Sequence, residues 1–167
     1  MNRIAKFEKV SYEQFSKDFT KTFGIPKKFI KEIYNNIKLP KRATVGSAGY
    51  DIFMHSGISL RPGETAKIPT GIRARIEDGW VLKIYPRSGL GFKFKLQLDN
   101  TVGIIDADYY NSDNEGHIFL KMTNNGDKDI HVEVGKGIAQ GIFLPFGITE
   151  DDDTNGVRNG GFCSTDS

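Results

Sequence analysis

The chain has 167 residues, 38% of them apolar, and a net charge of +2. That length suits one domain with a core of its own, and so even a charge balance argues against a nucleic-acid polymer as the main ligand. A single cysteine, Cys163, excludes an internal disulfide; no run reaches the ~18–20 apolar residues that span a bilayer, and the first 25 residues lack the apolar run of a signal peptide, so a cytoplasmic protein away from membranes is expected.

Residues 1–42 read as helical. Ser11 with Gln14 makes a capping-box pattern, and Tyr12, Phe15, Phe19 and Phe23 recur at helical spacing until Gly24. Pro26 can open a second helix with Phe29, Ile30, Ile33, Tyr34 and Ile37 on one face. Both stripes read as packing surfaces. The segment carries eleven Lys and Arg against four Asp and Glu, a net of +7, while the rest carries twelve against seventeen, a net of −5. A basic piece on an acidic body is either a solvated helix face or a surface for a protein partner.

From residue 43 the period changes. Pro62-Gly63, Asp78-Gly79 and Asn124-Asn125-Gly126-Asp127 mark turns, and the runs 64–69, 71–76, 80–85, 93–98, 117–123 and 138–144 between them are β-prone. This spacing predicts an all-β sandwich or barrel. Residues 149–167 differ again: an acidic run from Glu150 to Asp153, then small residues that bury little, so this piece is expected to be mobile by itself.

Five islands carry chemistry. Ala48-Gly49-Tyr50-Asp51 comes first. Pro86-Arg87-Ser88-Gly89 ends a predicted strand, where a planar guanidinium and a hydroxyl suit phosphate oxygens; read alone, it is more simply an ordinary surface turn. Asp106 and Asp108 follow the apolar pair Ile104-Ile105 and precede Tyr109. A carboxylate beside water can act as a general base; two solvated acids at a strand end are the plain alternative. With Asp113 and Glu115 they also suggest a calcium loop, but the expected glycine and final glutamate are out of place. Gln140 interrupts an apolar run and needs a polar partner, from ligand or core. Last, Arg158-Asn159-Gly160-Gly161-Phe162 sets a cation and a ring in a glycine-rich tail that a ligand could order into a lid. No P-loop, Rossmann, CxxC or HExxH pattern is present. Cys163 with His55, His117 or His131 would make a thiol nucleophile only from a terminal position.

In this order the islands resemble the five motifs of the homotrimeric dUTPase family, from about Pro40 to Thr165. The resemblance implies a distorted jelly-roll (β-clip) barrel over residues 40–148, an added N-terminal helical segment over 1–39, and a C-terminal arm over 149–167 that closes over an active site. It implies hydrolysis of dUTP to dUMP and pyrophosphate, which keeps uracil out of DNA and supplies dUMP for thymidylate synthesis. By the same resemblance Asp106 orients the attacking water. Arg87, Ser88, Gln140, Arg158, Ser164 and Thr165 hold phosphates. Asn100, Gly103, Ile105, Tyr109 and Phe162 face uracil and deoxyribose, with Tyr109 refusing ribose. Asp51 supports Mg²⁺ through water. Motifs 1, 2 and 4, motif 3, and motif 5 come from three different chains of a trimer with shared sites.

The chain departs from the family pattern in four places. Residues 110–115 intervene between Tyr109 and Gly116, Gly137 stands where an arginine is common, Cys163 stands where a glycine is usual, and the spacing from Arg158 to Phe162 is short. Two alternatives stay open on sequence grounds. One is a dCTP deaminase of the same fold, although Lys121 stands near the position of its acid–base glutamate. The other is a dUTPase-like regulatory binding protein that uses residues 1–42.

Overall fold

The computed structural model describes residues 2–158. In chain order its elements are β1 (Ala5–Lys9), α1 (Tyr12–Phe23), α2 (Ile30–Asn35), β2 (Lys41–Arg42), β3 (Tyr50–Phe53), β4 (Ile58–Leu60), β5 (Thr65–Pro69), β6 (Ile72–Ile76), β7 (Trp80–Pro86), α3 (Ser88–Phe94), β8 (Leu96–Leu98), β9 (Gly103–Ile105), β10 (Phe119–Asn124), β11 (Ile130–Val132) and β12 (Gly137–Pro145). Short 3₁₀ turns cover Lys27–Phe29 and Ala107–Asn111.

The body is all-β, as the turn spacing predicts. Its main sheet runs β2-β3-β12-β7-β9, with smaller sheets β5-β10-β8, β4-β11 and β1-β6 around it. β12 is paired on both edges, and its first five residues are buried but for Gln140. That is why it reads as an apolar run rather than an alternation. β10 alternates instead, with Leu120 and Met122 inward and Lys121 outward. The core joins Ile68, Leu82, Ile84, Leu96, Leu120 and Met122 of the strands to Val10, Phe15, Phe19 and Ile30 of the N-terminal segment.

The helical reading of residues 1–42 needs correction at its start. Ala5–Lys9 is a strand paired antiparallel with β6. Its alternating Ala5, Phe7 and Lys9 satisfy the edge of β6, and the helix begins only after Ser11. Phe29, expected on a packing face, is 57% exposed, because the chain enters α2 through a 3₁₀ turn. The strand predicted over 93–98 is half helix. The amides of Leu90 and Gly91 turn back onto the carbonyl of Arg87, and α3 persists to Phe94 until Lys95 takes φ 54°. Only Leu96–Leu98 is strand.

The capping box at α1 is completed from a distance. Ser11 accepts from the Gln14 amide at 3.1 Å, as predicted. The reciprocal acceptor is Glu115, whose carboxylate takes the Ser11 amide at 2.7 Å and the Ser11 hydroxyl at 2.6 Å. Gln14 turns instead to Asp18, donating at 2.7 Å. At the other end Gly24, φ 67°, closes the helix by donating to Thr20 O.

Candidate active site

Register builds a polar cluster at one end of the main sheet. Gln140 of β12 lies opposite Asp51 on β3 and Tyr85 on β7. Residues directly opposite share a face, and Arg87 returns to that face two positions after Tyr85. The Arg87 Nε accordingly lies 3.1 Å from Asp51 Oδ1. Gln140 Nε2 donates to Pro86 O at 3.4 Å, a long bond that leaves its oxygen for other partners. Ser88 opens α3 beside them. A cavity of roughly 620 Å³ adjoins the cluster, lined by Arg87, Ser88, Phe92, Gln97 and Gln140 among others.

Gly137 explains itself here. A Cβ at that position would stand 2.6 Å from Arg87 Nη1 and 2.9 Å from its Cδ. The arginine side chain lies directly across the glycine, so a side chain at 137 would have to displace it.

A second cluster forms at the far end of β7. Asp106 precedes the 3₁₀ turn Ala107–Asn111, and Arg158 of the arm reaches both acids. Its Nη2 lies 2.8 Å from Asp106 Oδ2 and its Nε 3.0 Å from Asp108 Oδ1. The guanidinium also stands 5.8 Å from the centre of the Tyr109 ring. Tyr109 itself is buried; its hydroxyl donates to His117 O at 2.7 Å and accepts from Asn114 Nδ2 at 2.8 Å. Burial raises its pKa above the ordinary tyrosine value, so the phenol keeps its proton and its donor role at neutral pH.

The loop between β8 and β9, which belong to different sheets, carries the remaining residues predicted to read the base. Asn100 is exposed at its tip, and its carbonyl accepts the Val102 amide at 2.6 Å. Thr101 takes φ 65°, an uncommon conformation for a β-branched residue. Ile105 is buried, so only its main chain is available to a ligand. Phe162, Ser164 and Thr165, with Cys163, lie outside the described residues.

The structure brings Asp51, Arg87, Ser88 and Gln140 together, and separately Asp106, Tyr109 and Arg158. It does not join the two groups within one chain. Ile105 pairs with Leu82, which leaves Asp106 near the Trp80 end of β7, whereas Arg87 follows its Pro86 end. At ~3.3 Å per residue, the stretch from Leu82 to Arg87 spans about 16 Å. The four acids of the apparent calcium loop are also divided: Asp106 and Asp108 face Arg158, and Glu115 faces Ser11. Lys121, at the deaminase position, pairs with Asp99 at 3.1 Å on an outward face.

The sequence paired Asp108 with Asp106 as a candidate acid and offered His117 only as a partner for Cys163; it gave no sign of Asn114 or Asp18, because Asp18 meets His117 across 99 residues.

Among known proteins, the family model for dUTPase matches residues 35–165. The chain is 46% identical over 132 residues to the deoxyuridine 5'-triphosphate nucleotidohydrolase of Lactococcus lactis subsp. lactis (strain IL1403), covering 77% of this chain and 88% of that one. Among solved structures, the dUTPase from Streptococcus mutans superposes with a TM-score of 0.62 at 40% identity, over 70% of this chain and 91% of that one. A mutant dUTPase from phage phi11 of S. aureus, described with a structural Mg(II) ion, gives a TM-score of 0.65 at 20% identity over 92% and 98% of the two chains, a likeness of fold alone.

Proposed function

The chain belongs to the dUTPase family and is an enzyme that hydrolyses dUTP, and from that premise we propose that each active site is assembled between copies of the chain in a homotrimer. The observation that carries this reading is the separation of the phosphate-binding cluster from Asp106 along β7. An in-line displacement needs its base within hydrogen-bond reach of the water, and about 16 Å along a strand forbids that within one copy. A neighbouring copy can present its Asp106 end to the Arg87 end of the first.

In that site Arg87, Ser88 and Gln140 bind the triphosphate, and Arg87 brings a fork of donors matched to its oxygens. Asp106 accepts a proton from a water as the water oxygen bonds to the α-phosphorus and the bond to the bridging oxygen breaks, giving dUMP and pyrophosphate. Arg158 exchanges its two carboxylates for phosphate oxygens as the arm moves to a shared site. Asp106 and Asp108 are 48% and 57% exposed, so water can take the place of Arg158 on both acids when it leaves. Phe162, Ser164 and Thr165 join it there. Main-chain groups of the segment at Asn100, Gly103 and Ile105 read uracil, and the Tyr109 ring lies against the deoxyribose.

The protein's own residues fit magnesium only in a minor role. Among the described residues no three acids, histidines or cysteines converge as a cage, and Asp51 is occupied with Arg87. A hard cation held chiefly by phosphates and waters suits this arrangement, with Asp51 contacting it through water. When bound, Mg²⁺ would neutralise phosphate charge. The enzyme works in the cytoplasm in this reading. Any protein partner of residues 1–42 would meet their charged face, since Phe15, Phe19 and Ile30 are spent on the core. The deaminase alternative is not favoured: Lys121 offers no carboxylate, and the curated relatives are named for dUTP hydrolysis.

Mixing two impaired variants tests the shared site. Asp106→Asn and Arg87→Ala trimers, dissociated and reassembled together, should regain activity, because some interfaces then pair an intact Arg87 with an intact Asp106. No recovery from trimers shown to be mixed would overturn the assignment.

A further inference from the structure

The N-terminal helix and the loop 110–115 depart from the common β core in different parts of the sequence, yet they meet around one side chain. The loop leaves Tyr109 and returns to it. Gly116 has φ 68°, and a Cβ there would stand 2.8 Å from Tyr109 O and 2.8 Å from Tyr110 Cα. Only glycine lets the chain close so tightly. Both ends of the loop are tied to the N-terminal segment: Tyr110 OH donates to Glu8 at 2.6 Å, and Glu115 accepts from Ser11. Arg73 lies over the Tyr110 ring at 4.2 Å.

His117, just past Gly116, is fully buried and held on every side. The Gly71 amide can only donate, and it lies 2.8 Å from His117 Nε2. Nε2 must therefore accept, so the ring proton sits on Nδ1 and donates to Asp18 Oδ2 at 2.6 Å. Gln14 donates to the same Asp18 oxygen at 2.7 Å. Burial disfavours the Asp18 charge, but these two hydrogen bonds together with nearby positive charge outweigh it and hold its pKa below the ordinary aspartate value. The ring packs on Phe119 and Phe15. With its side chain fixed in this way, His117 presents its carbonyl to the Tyr109 hydroxyl at 2.7 Å, and Asn114 donates to that hydroxyl from the other side.

The geometry points to Asp18 and His117 as positioning residues for Tyr109, so that the N-terminal helix sets how strictly a ribose is refused. Asp18 lies outside the residues that match the family model. The inference rests on the reading that Tyr109 lies against the deoxyribose. A ring refuses a 2′-hydroxyl only while it cannot yield, and a displacement of about 1 Å is enough to change a rate by about a hundredfold. The backbone fixes one end of the tyrosine, and the hydroxyl anchors fix the other. Asp18 holds the second anchor through His117.

The test compares dUTP and UTP as substrates of the full chain, scoring pyrophosphate release. Circular dichroism and oligomer size confirm folding of each variant. Asp18→Ala, Asn114→Ala and Tyr109→Phe should each lower the dUTP-to-UTP ratio of kcat/KM by about tenfold. Asp18→Asn keeps an acceptor for Nδ1–H and should restore the ratio to within about twofold of the starting protein. A folded Asp18→Ala variant with an unchanged ratio would overturn the proposal. If that variant does not fold, unchanged ratios in both Asn114→Ala and Tyr109→Phe would do the same. Tyr109→Ala separates the two readings. If it too still refuses UTP, the placement of Tyr109 against the sugar is wrong; if it admits UTP while Asp18→Ala does not, only the role of Asp18 falls.

Discussion

The two ends of β7 are built by opposite means. At the Pro86 end, Asp51, Gln140 and Arg87 meet because three neighbouring strands are in register. At the Trp80 end, the surroundings of Tyr109 are assembled by single contacts that span 99 to 104 residues: Asp18 with His117, Glu8 with Tyr110, and Ser11 with Glu115. A site made by sheet register can lose a side chain and keep its frame. One made by long-range polar ties shifts when a tie to a buried group such as His117 is cut, because that group is left unpaired.

The largest effect expected tests chemistry without touching either frame. Asp106→Asn keeps the side chain's size and an acceptor for Arg158, but removes the base. General-base losses run to about 10²–10⁴-fold, so kcat should fall by that order while the slow analogue dUpNHpp still binds. Turnover near that of the starting protein would remove Asp106 from its role and dissolve the distinction between a phosphate end and an acid end.

Acid should damage the second region selectively. His55 donates from Nε2 to Pro69 O at 2.7 Å and packs edge-on against Phe15 and Phe19 of α1. Burial lowers its pKa from 6.5 to about 4, only partly offset by the Pro69 carbonyl. The folded state therefore binds this proton less readily than the unfolded chain. The associated stability is complete above pH 6.5 and declines as pH falls toward 4, by roughly 3 kcal/mol in all. Urea midpoints measured between pH 7 and 4 check this, and His55→Phe should flatten the profile. An equal slope in that variant would place the acid sensitivity elsewhere.

Much of the first region was readable from the chain alone. The turn pairs and β-prone runs anticipate β5, β6, β7, β10 and β12, and the polar Gln140 inside an apolar run marks a position of β12 that faces the cluster. Other features resisted reading for identifiable reasons. β1 has the length and composition of a helix lead-in, and only pairing with β6 makes it a strand. The alternation of Phe94, Leu96 and Leu98 is a true strand signal at its end, overridden at its start by the turn after Arg87. The capping partner of Ser11 and the Asp18 tie of His117 depend on residues about a hundred positions away, where local pattern carries no information.

Arg87→Ala removes one charge-assisted contact from the register-built end, worth ~1.5–3 kcal/mol, so kcat/KM for dUTP should fall roughly 10–100-fold. Its thermal midpoint should hardly move, because the Arg87–Asp51 pair is partly exposed and such pairs add little to stability. A large loss of stability would show that this end too relies on particular ties.

Glu115→Ala gives the smallest effect and the cleanest contrast. Burial works against the Glu115 charge, but the donations from Ser11 hold its pKa below the ordinary glutamate value. Removing it strands the Ser11 amide and hydroxyl at the start of α1, a capping loss of about 1 kcal/mol, which for a chain this long lowers the thermal midpoint by ~2–4 °C. Glu115 touches neither phosphate cluster nor acids, so pyrophosphate, which fits only the phosphate end, should bind as before. If instead its affinity weakened along with the midpoint, the two ends of β7 would be mechanically coupled, and the contrast between a self-supporting frame and a tied one would fail at the point where it predicts independence.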